Sequence, residues 1–262
     1  IAAQEFGSDY TDTYDVRAVS LAGSLARFGW RPSFEVAYEQ HEPLAVHAHP
    51  ANGRFEATVP AQSLDETRLT LGLDRPTSLT FGGYELGAHL AVNAIRKESR
   101  ANSLRAEFLR PSLMLDLQKP FGSSRLLLHT LAAGIISNDT FPAQHLTYLG
   151  GPTTGPGYEF HEFVGRGGVS QRIEYRFPAP FVPIPLGRFG RAPGTITLAP
   201  FATAVWIDRS APFKAARQGW YPSVGLGALT VFDVLRLDVA RGLRKGRWTF
   251  SADIGRDFWS VL

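Results

Sequence analysis

An all-β protein is the fold class this sequence predicts, with its strands forming one antiparallel transmembrane barrel of the outer-membrane type. Three observations carry that expectation: apolar and polar residues alternate with a period of two, the alternating runs reach ten residues or more, and aromatics gather at their ends. Alternation places every second side chain on the same face of a strand. Runs of that length exceed the five or six residues usual in a globular sheet. They match the roughly 9–11 tilted residues that cross a bilayer.

The elements follow in order. Strands are expected near 14–26, 32–40, 44–59, 66–74, 80–96, 103–118, 124–137, 168–178, 194–207, 221–231, 233–242 and 246–257, about twelve in all. In "SFEVAYE", Phe34, Val36 and Tyr38 alternate with Glu35, Ala37 and Glu39. "YELGAHLAVNA" sets Tyr84, Leu86, Ala88, Leu90 and Val92 against Glu85, Gly87, His89, Ala91 and Asn93. "SQRIEYRF" sets Ile173, Tyr175 and Phe177 against Arg172, Glu174 and Arg176, and "VLRLDVAR" sets Leu235, Leu237 and Val239 against Arg236, Asp238 and Ala240. In "RWTFSADIG" the apolar phase is Trp248, Phe250, Ala252 and Ile254. Tight turns are expected at "FGSS" (121–124) and "GLRKG" (242–246), and long connections at 138–167 and 178–194. Short turns at one end and long loops at the other are the barrel habit. No 3.6-residue period, domain boundary or exact repeat stands out, so residues 1–262 read as a single domain.

A soluble sandwich produces the same alternation. Two features favour the barrel. Tyr175, Phe177, Phe181, Trp206, Trp220, Tyr221, Trp248, Phe258 and Trp259 sit near strand ends, as interfacial aromatics do. The other phase is rich in Gly, Ser, Thr and paired charges such as Arg172, Glu174 and Arg176, which suits a wet interior.

Composition sets the outer bounds. The chain has 262 residues, 44% of them hydrophobic and 19% charged, which excludes a disordered segment. Its 27 basic and 24 acidic residues leave a scattered excess of +3, with no nucleic-acid footprint. Cysteine is absent, which removes disulfides and thiolate metal sites. No run of about 18 apolar residues marks a membrane helix. The first residue is Ile1 rather than Met, as expected after loss of a signal peptide or an N-terminal region.

The stretch "LGGPTTGPGYEFHEFVGRGGVSQRIEYRF", 149–177, resembles the bacterial surface antigen barrel of the BamA–TamA superfamily, outer-membrane proteins that insert or translocate polypeptides. In that family a long loop with a glycine pair, a hydroxyl residue and Val-Arg-Gly-Phe/Tyr folds back into the lumen. Here Gly150 and Gly151 match the pair, Thr154 the hydroxyl, and Gly157 with Tyr158 the end of the motif. Gly167 and Gly168 match the glycines before the following strand, and Glu174 to Pro178 match that strand. Five strands follow the loop, as in the family. The closing "FSADIGRDF" resembles the C-terminal insertion signal through Asp253, Gly255 and Phe258. The likeness covers about residues 100–262.

Two departures qualify the resemblance. The family's loop arginine falls at Pro156, and the aspartate that receives it inside the barrel falls at Thr203. Losing one partner strands a buried charge at a cost of several kcal/mol, whereas losing both is close to neutral. The expectation is a loop that still enters the lumen, held by Tyr158 and proline stiffness. The second departure is strand number, about twelve against the family's sixteen. The first strands then belong to a portion not shown, or the barrel is a contracted relative, and the periplasmic repeats of the family are not seen.

Catalytic and metal readings are weak. His41, His47 and His49 in "HEPLAVHAH" could offer imidazoles to zinc with a third ligand, but no acidic second shell is evident and polar histidines suffice. Ser24 lacks the flanking glycines and the strand-to-helix setting of a nucleophile elbow. Asp208 and Arg209 read as rim charges. "GRGG" (165–168) leads into a strand, not the helix an anion cradle needs. The sequence therefore predicts no enzyme, no metal and no cofactor. It predicts an outer-membrane location, lipid as the surrounding partner, and either client polypeptides or a periplasmic or surface protein as further partners. Two functions fit: a polypeptide-transport or assembly barrel working through the lumenal loop and a weak first-to-last-strand seam, or a passive pore or anchoring barrel.

Overall fold

The computed structural model describes residues 14–44, 59–79, 81–137, 142–183, 185, 187–208 and 218–254. Its strands are β1 (Tyr14–Ser24), β2 (Arg31–Pro43), β3 (Leu64–Leu79), β4 (Glu85–Ser99), β5 (Arg105–Phe121), β6 (Ser124–Gly134), β7 (Thr147–Leu149), β8 (Phe163–Gly165), β9 (Gly167–Pro180), β10 (Thr195–Ile207), β11 (Gly219–Thr230), β12 (Leu235–Gly242) and β13 (Trp248–Ile254). Eleven of them form one antiparallel sheet in chain order, with β6 paired directly to β9; β7 and β8 form a small hairpin of their own. Among the described residues β1 and β13 are the margins of this sheet.

The expected strands match these eleven except for 44–59. There β2 pairs straight to β3, with His41 opposite Leu64, which leaves no place in the sheet between them. Residues 45–58 themselves lie outside the described residues.

The alternation holds, and its sense is inverted relative to a water-soluble sheet. On β11, Tyr221, Ser223, Gly225, Gly227 and Leu229 share one face, and Trp220, Pro222, Val224, Leu226 and Ala228 the other. Ser223 is 1% exposed, whereas Val224 and Leu226 are each 45% exposed. The same inversion repeats along the sheet. Glu39 and His41 are buried while Val36 and Tyr38 are exposed on β2; Glu174 is buried between exposed Ile173 and Tyr175 on β9; Asp238 is buried beside exposed Val239 on β12. A soluble sandwich does the reverse.

Ion pairs show that the sheet curls. Arg172 and Glu174 of β9 meet Arg236 and Asp238 of β12 at hydrogen-bonding distance, although β10 and β11 lie between. Three strand spacings on a flat sheet come to roughly 14 Å. Side chains standing upright at that separation do not touch; on the concave side of a curved sheet they converge.

Two rows of aromatics edge the outer face. At one end Trp206 pairs across strands with Trp220, and Trp248 begins β13. At the other end are Phe28, Trp30, Tyr84, Phe121, Tyr175, Phe177 and Phe181, with the Lys119 ammonium 4.1 Å above the Tyr84 ring. Tyr221 does not belong to these rows. It is even-spaced with Ser223 rather than with Trp220, so it points inward and is buried. The two long connections also part company. β9 separates the segment 135–166 from 181–194, and one crossing of the sheet puts them at opposite ends.

Candidate functional site

The described residues of the segment 135–166, which are 135–137 and 142–166, lie against the inner face, and their sequence explains how. Gly150 and Gly151 have φ of 117° and 75°, values that favour glycine, and a side chain at Gly150 would strike the Glu159 carbonyl. They turn the chain into a single helical turn, α1 (Gly151–Thr154). The Thr154 hydroxyl accepts from the Gly150 amide and donates to the Gly150 carbonyl, each at 2.9 Å, closing that turn on itself. The Ser170 hydroxyl of β9 donates to the Thr154 carbonyl at 2.7 Å.

Beyond the turn, Pro156, Gly157 and Tyr158 are buried. Gly157, φ 87°, passes so close to Gly242 that either could carry no Cβ, and Gly246 closes the same stack. The Gly157 amide donates to Thr249 Oγ1 at 2.8 Å, and its carbonyl accepts from the Arg247 amide at 2.9 Å. Tyr158 is 1% exposed. Its hydroxyl donates to the Pro222 carbonyl at 2.7 Å and accepts from the Arg244 amide at 3.2 Å. Its ring meets Phe163 and Tyr221 edge-on, at 5.0 and 5.9 Å between centroids. With Leu149, Val205 and Ile207 these rings make one apolar cluster; Leu146 and Val164 make a second with Ile95, Phe108 and Ile135. The loop thus carries the hydrophobic core of the interior.

Beside it lies a charged network. Glu174 accepts from Arg172 at 2.7 Å, from Arg176 at 2.7 Å, and from Arg236 through both terminal nitrogens at 2.9 and 2.7 Å. Asp238 takes Arg236 Nε at 2.9 Å and Arg172 at 3.4 Å, and the Arg172 guanidinium stacks 3.8 Å over Phe201. Three arginines therefore share two carboxylates, with Arg172 and Arg236 each oriented by both of them. Gly225 and Gly227 make the room. A Cβ on Gly225 would overlap the Phe201 ring, and one on Gly227 would come 2.5 Å from Asp238 Oδ1.

The sequence-derived residues distribute as follows. Gly150, Gly151, Thr154, Pro156, Gly157 and Tyr158 all lie along the inner face. Arg172, Glu174 and Arg176 meet in the network, and Thr203 is buried on β10 opposite Arg172. Thr203 Oγ1 has no hydrogen-bond partner among the described residues. Gly155 packs towards Val205, two residues along β10 from Thr203, so the loop reaches this wall without an ion pair. Asp253 lies opposite Arg236 in β13; Gly255, Phe258, His47 and His49 lie outside the described residues. The sequence reading passed over Arg236, Asp238, Thr249, Gly242 and Gly246 as partners. Their signal was present as polar or small residues in the inward phase, but their meeting with β9 and the loop is set by curvature.

A third group is built from β2, β3 and the loop. Glu39, His41, Glu66 and His145 are all buried, with His41 Nε2 2.9 Å from Glu39 and His145 Nε2 2.7 Å from Glu66. The acidic neighbours of His41 exist after all; Glu39 stands two residues before it, on the same face.

No family model matches the chain, and no curated protein matches it significantly. Among solved structures, CdiB from Acinetobacter baumannii is similar at 14% identity and a TM-score of 0.44, over 90% of this chain and 49% of CdiB. This chain therefore spans about half the length of CdiB. LpxR from Salmonella typhimurium is similar at 9% identity and a TM-score of 0.32, over 89% of this chain and 85% of LpxR. Both are outer-membrane β-barrels. At these scores no residue's role transfers, and the strand arrangement described above stands on its own geometry.

Proposed function

We propose that this chain is an outer-membrane β-barrel of the polypeptide-transport and membrane-assembly class, with the 135–166 loop as its internal working part. The observation that carries the reading is the inverted sheet with a loop packed inside it. An outer face of Val, Leu, Ile and Phe bounded by two aromatic rows is unfavourable in water and favourable in lipid. An inner face filled by a structured loop is not a standing aqueous channel, which favours a gated barrel over a passive pore. Around Gly157 and Tyr158 the loop is held by hydrogen bonds and rings rather than by a buried Arg–Asp pair, so releasing that half strands no buried charge. The resemblance of 149–177 to translocation barrels agrees with this. No chemical step is assigned to any side chain.

A cysteine lock tests it. The chain has no native cysteine, so Thr154→Cys with Ser170→Cys introduces a single thiol pair between loop and wall. In planar bilayers the unlocked protein is expected to show fluctuating conductance, and oxidation is expected to suppress the fluctuations until a reductant is added. A uniform conductance that is indifferent to the lock would support the passive pore or anchoring barrel instead.

A further inference from the structure

We propose that His41, Glu66 and His145 form a buried binding site for a transition-metal dication, with zinc as the natural probe, that fastens the loop to the wall. One ligand atom from each residue lies within 4.8 Å of the other two. Coordination at about 2.0–2.2 Å needs such atoms roughly 3.3 Å apart, a closure within side-chain reach. His41 and Glu66 are each 1% exposed and His145 6%. Two atoms of the group are buried without any hydrogen-bond partner among the described residues: His41 Nδ1 and Glu66 Oε1. A buried imidazole nitrogen and a buried carboxylate oxygen left idle together are costly unless something electropositive joins them.

The surroundings suit such a ligand set. Glu39 holds His41 by its other nitrogen, Nε2, the carboxylate–histidine arrangement that orients a metal-bound imidazole and leaves Nδ1 for the ion. Arg68 in turn grips Glu39 at 2.6 Å, and the rings of Tyr14 and Phe108 pack 5.2 and 5.1 Å from His41 and His145. Two imidazoles and a carboxylate, with no thiolate anywhere in the chain, fit zinc, nickel or cobalt better than calcium or magnesium.

Topology gives the site its consequence. His41 comes from β2 and Glu66 from β3, neighbours in the wall, whereas His145 comes from the loop, next to a Gln144–Gln62 amide pair at 3.0 and 3.1 Å. A bound ion would tie the loop's first half to one side of the interior, while Gly157 and Tyr158 tie its second half to β11 and β13. The inference does not depend on the transport reading; it concerns loop attachment in any barrel of this architecture.

The test is zinc titration of the full chain refolded in detergent, by calorimetry and by the visible spectrum of the cobalt form. One saturable ion per chain is expected. His41→Gln and His145→Gln should each weaken it at least tenfold, and Glu39→Gln about tenfold through loss of orientation. His47→Ala, His49→Ala and His129→Ala should leave binding unchanged. Zinc should also slow proteolysis within 135–166 in the native chain and fail to do so in His145→Gln. X-ray absorption of the zinc-loaded native chain should show two imidazoles per ion, which keeps the test independent of variant folding. Absence of saturable binding would mean that the group works as two hydrogen-bonded histidine–glutamate pairs and would overturn the proposal. So would binding that survives His145→Gln, or an all-oxygen shell.

Discussion

Tyr158 attaches the loop through a single hydroxyl that both donates and accepts inside the protein. Tyr158→Phe keeps the ring contacts and removes both bonds, leaving the Arg244 amide without its acceptor while the Pro222 carbonyl keeps only the Leu243 amide. A loss of about 1–3 kcal/mol in loop docking is expected, read as faster proteolysis of the loop with strand content unchanged by circular dichroism. Burial pushes the Tyr158 hydroxyl above its ordinary value of 10.0. The docked loop therefore holds that proton more tightly than the released loop. The stabilisation is complete below the ordinary value and is lost as pH rises through the docked one, so docking should weaken only in strong alkali. Phenolate absorbance of Tyr158, compared between native chain and Tyr158→Phe, checks the sign. Glu174 is the other residue on which much depends. Glu174→Gln leaves Arg172, Arg176 and Arg236 converging without their shared carboxylate. A destabilisation of about 3–5 kcal/mol is expected in denaturant unfolding, larger than for removing any one of the arginines.

At the level of elements, β11 is shaped by what it must not carry. Gly225 and Gly227 occupy inward positions between β10 and β12, where the Phe201 ring and the Arg236–Asp238 pair fill the space a Cβ would take. Gly225→Ala meets the Val239 carbonyl at 2.6 Å as well as the ring, and backbone yields less than a side chain. It should cost about 1–3 kcal/mol, and more than Gly227→Ala, whose nearest neighbours are the ends of flexible side chains. Relative unfolding midpoints of the two variants decide this. The strands themselves were legible in advance because each carries its own alternation; "VLRLDVAR" needs no partner to be read as a strand. The hairpin of β7 and β8 was not legible. Three residues contain too few alternations to register, and those strands exist because Thr147–Leu149 and Phe163–Gly165 meet inside the curved sheet.

For the whole molecule the decisive quantity is the environment of the outer face. Val224→Arg or Leu226→Arg places a charge there. In lipid the cost is about 2–4 kcal/mol near the bilayer midplane, whereas on a water-facing surface it is close to zero. Folding yield into lipid vesicles, compared between these variants and the native chain, measures the difference; equal yields would place that face in water. The sequence by itself determined where the eleven strands of the main sheet run, which residues share a face, and that a glycine-rich loop precedes the strand bearing Arg172, Glu174 and Arg176. It did so because a period of two is a local property, readable one strand at a time. The composition of the polar phase suggested which phase faces inward, and the tertiary structure settled it, since either face of an alternating strand can be the buried one. The tertiary structure alone moved Tyr221 from the rim to the interior, joined Glu174 to Arg236 across two intervening strands, and brought His145 to His41 and Glu66. These meetings depend on the curvature of the sheet and the path of the loop, which arise from the packing of all the strands together and from no single stretch of chain.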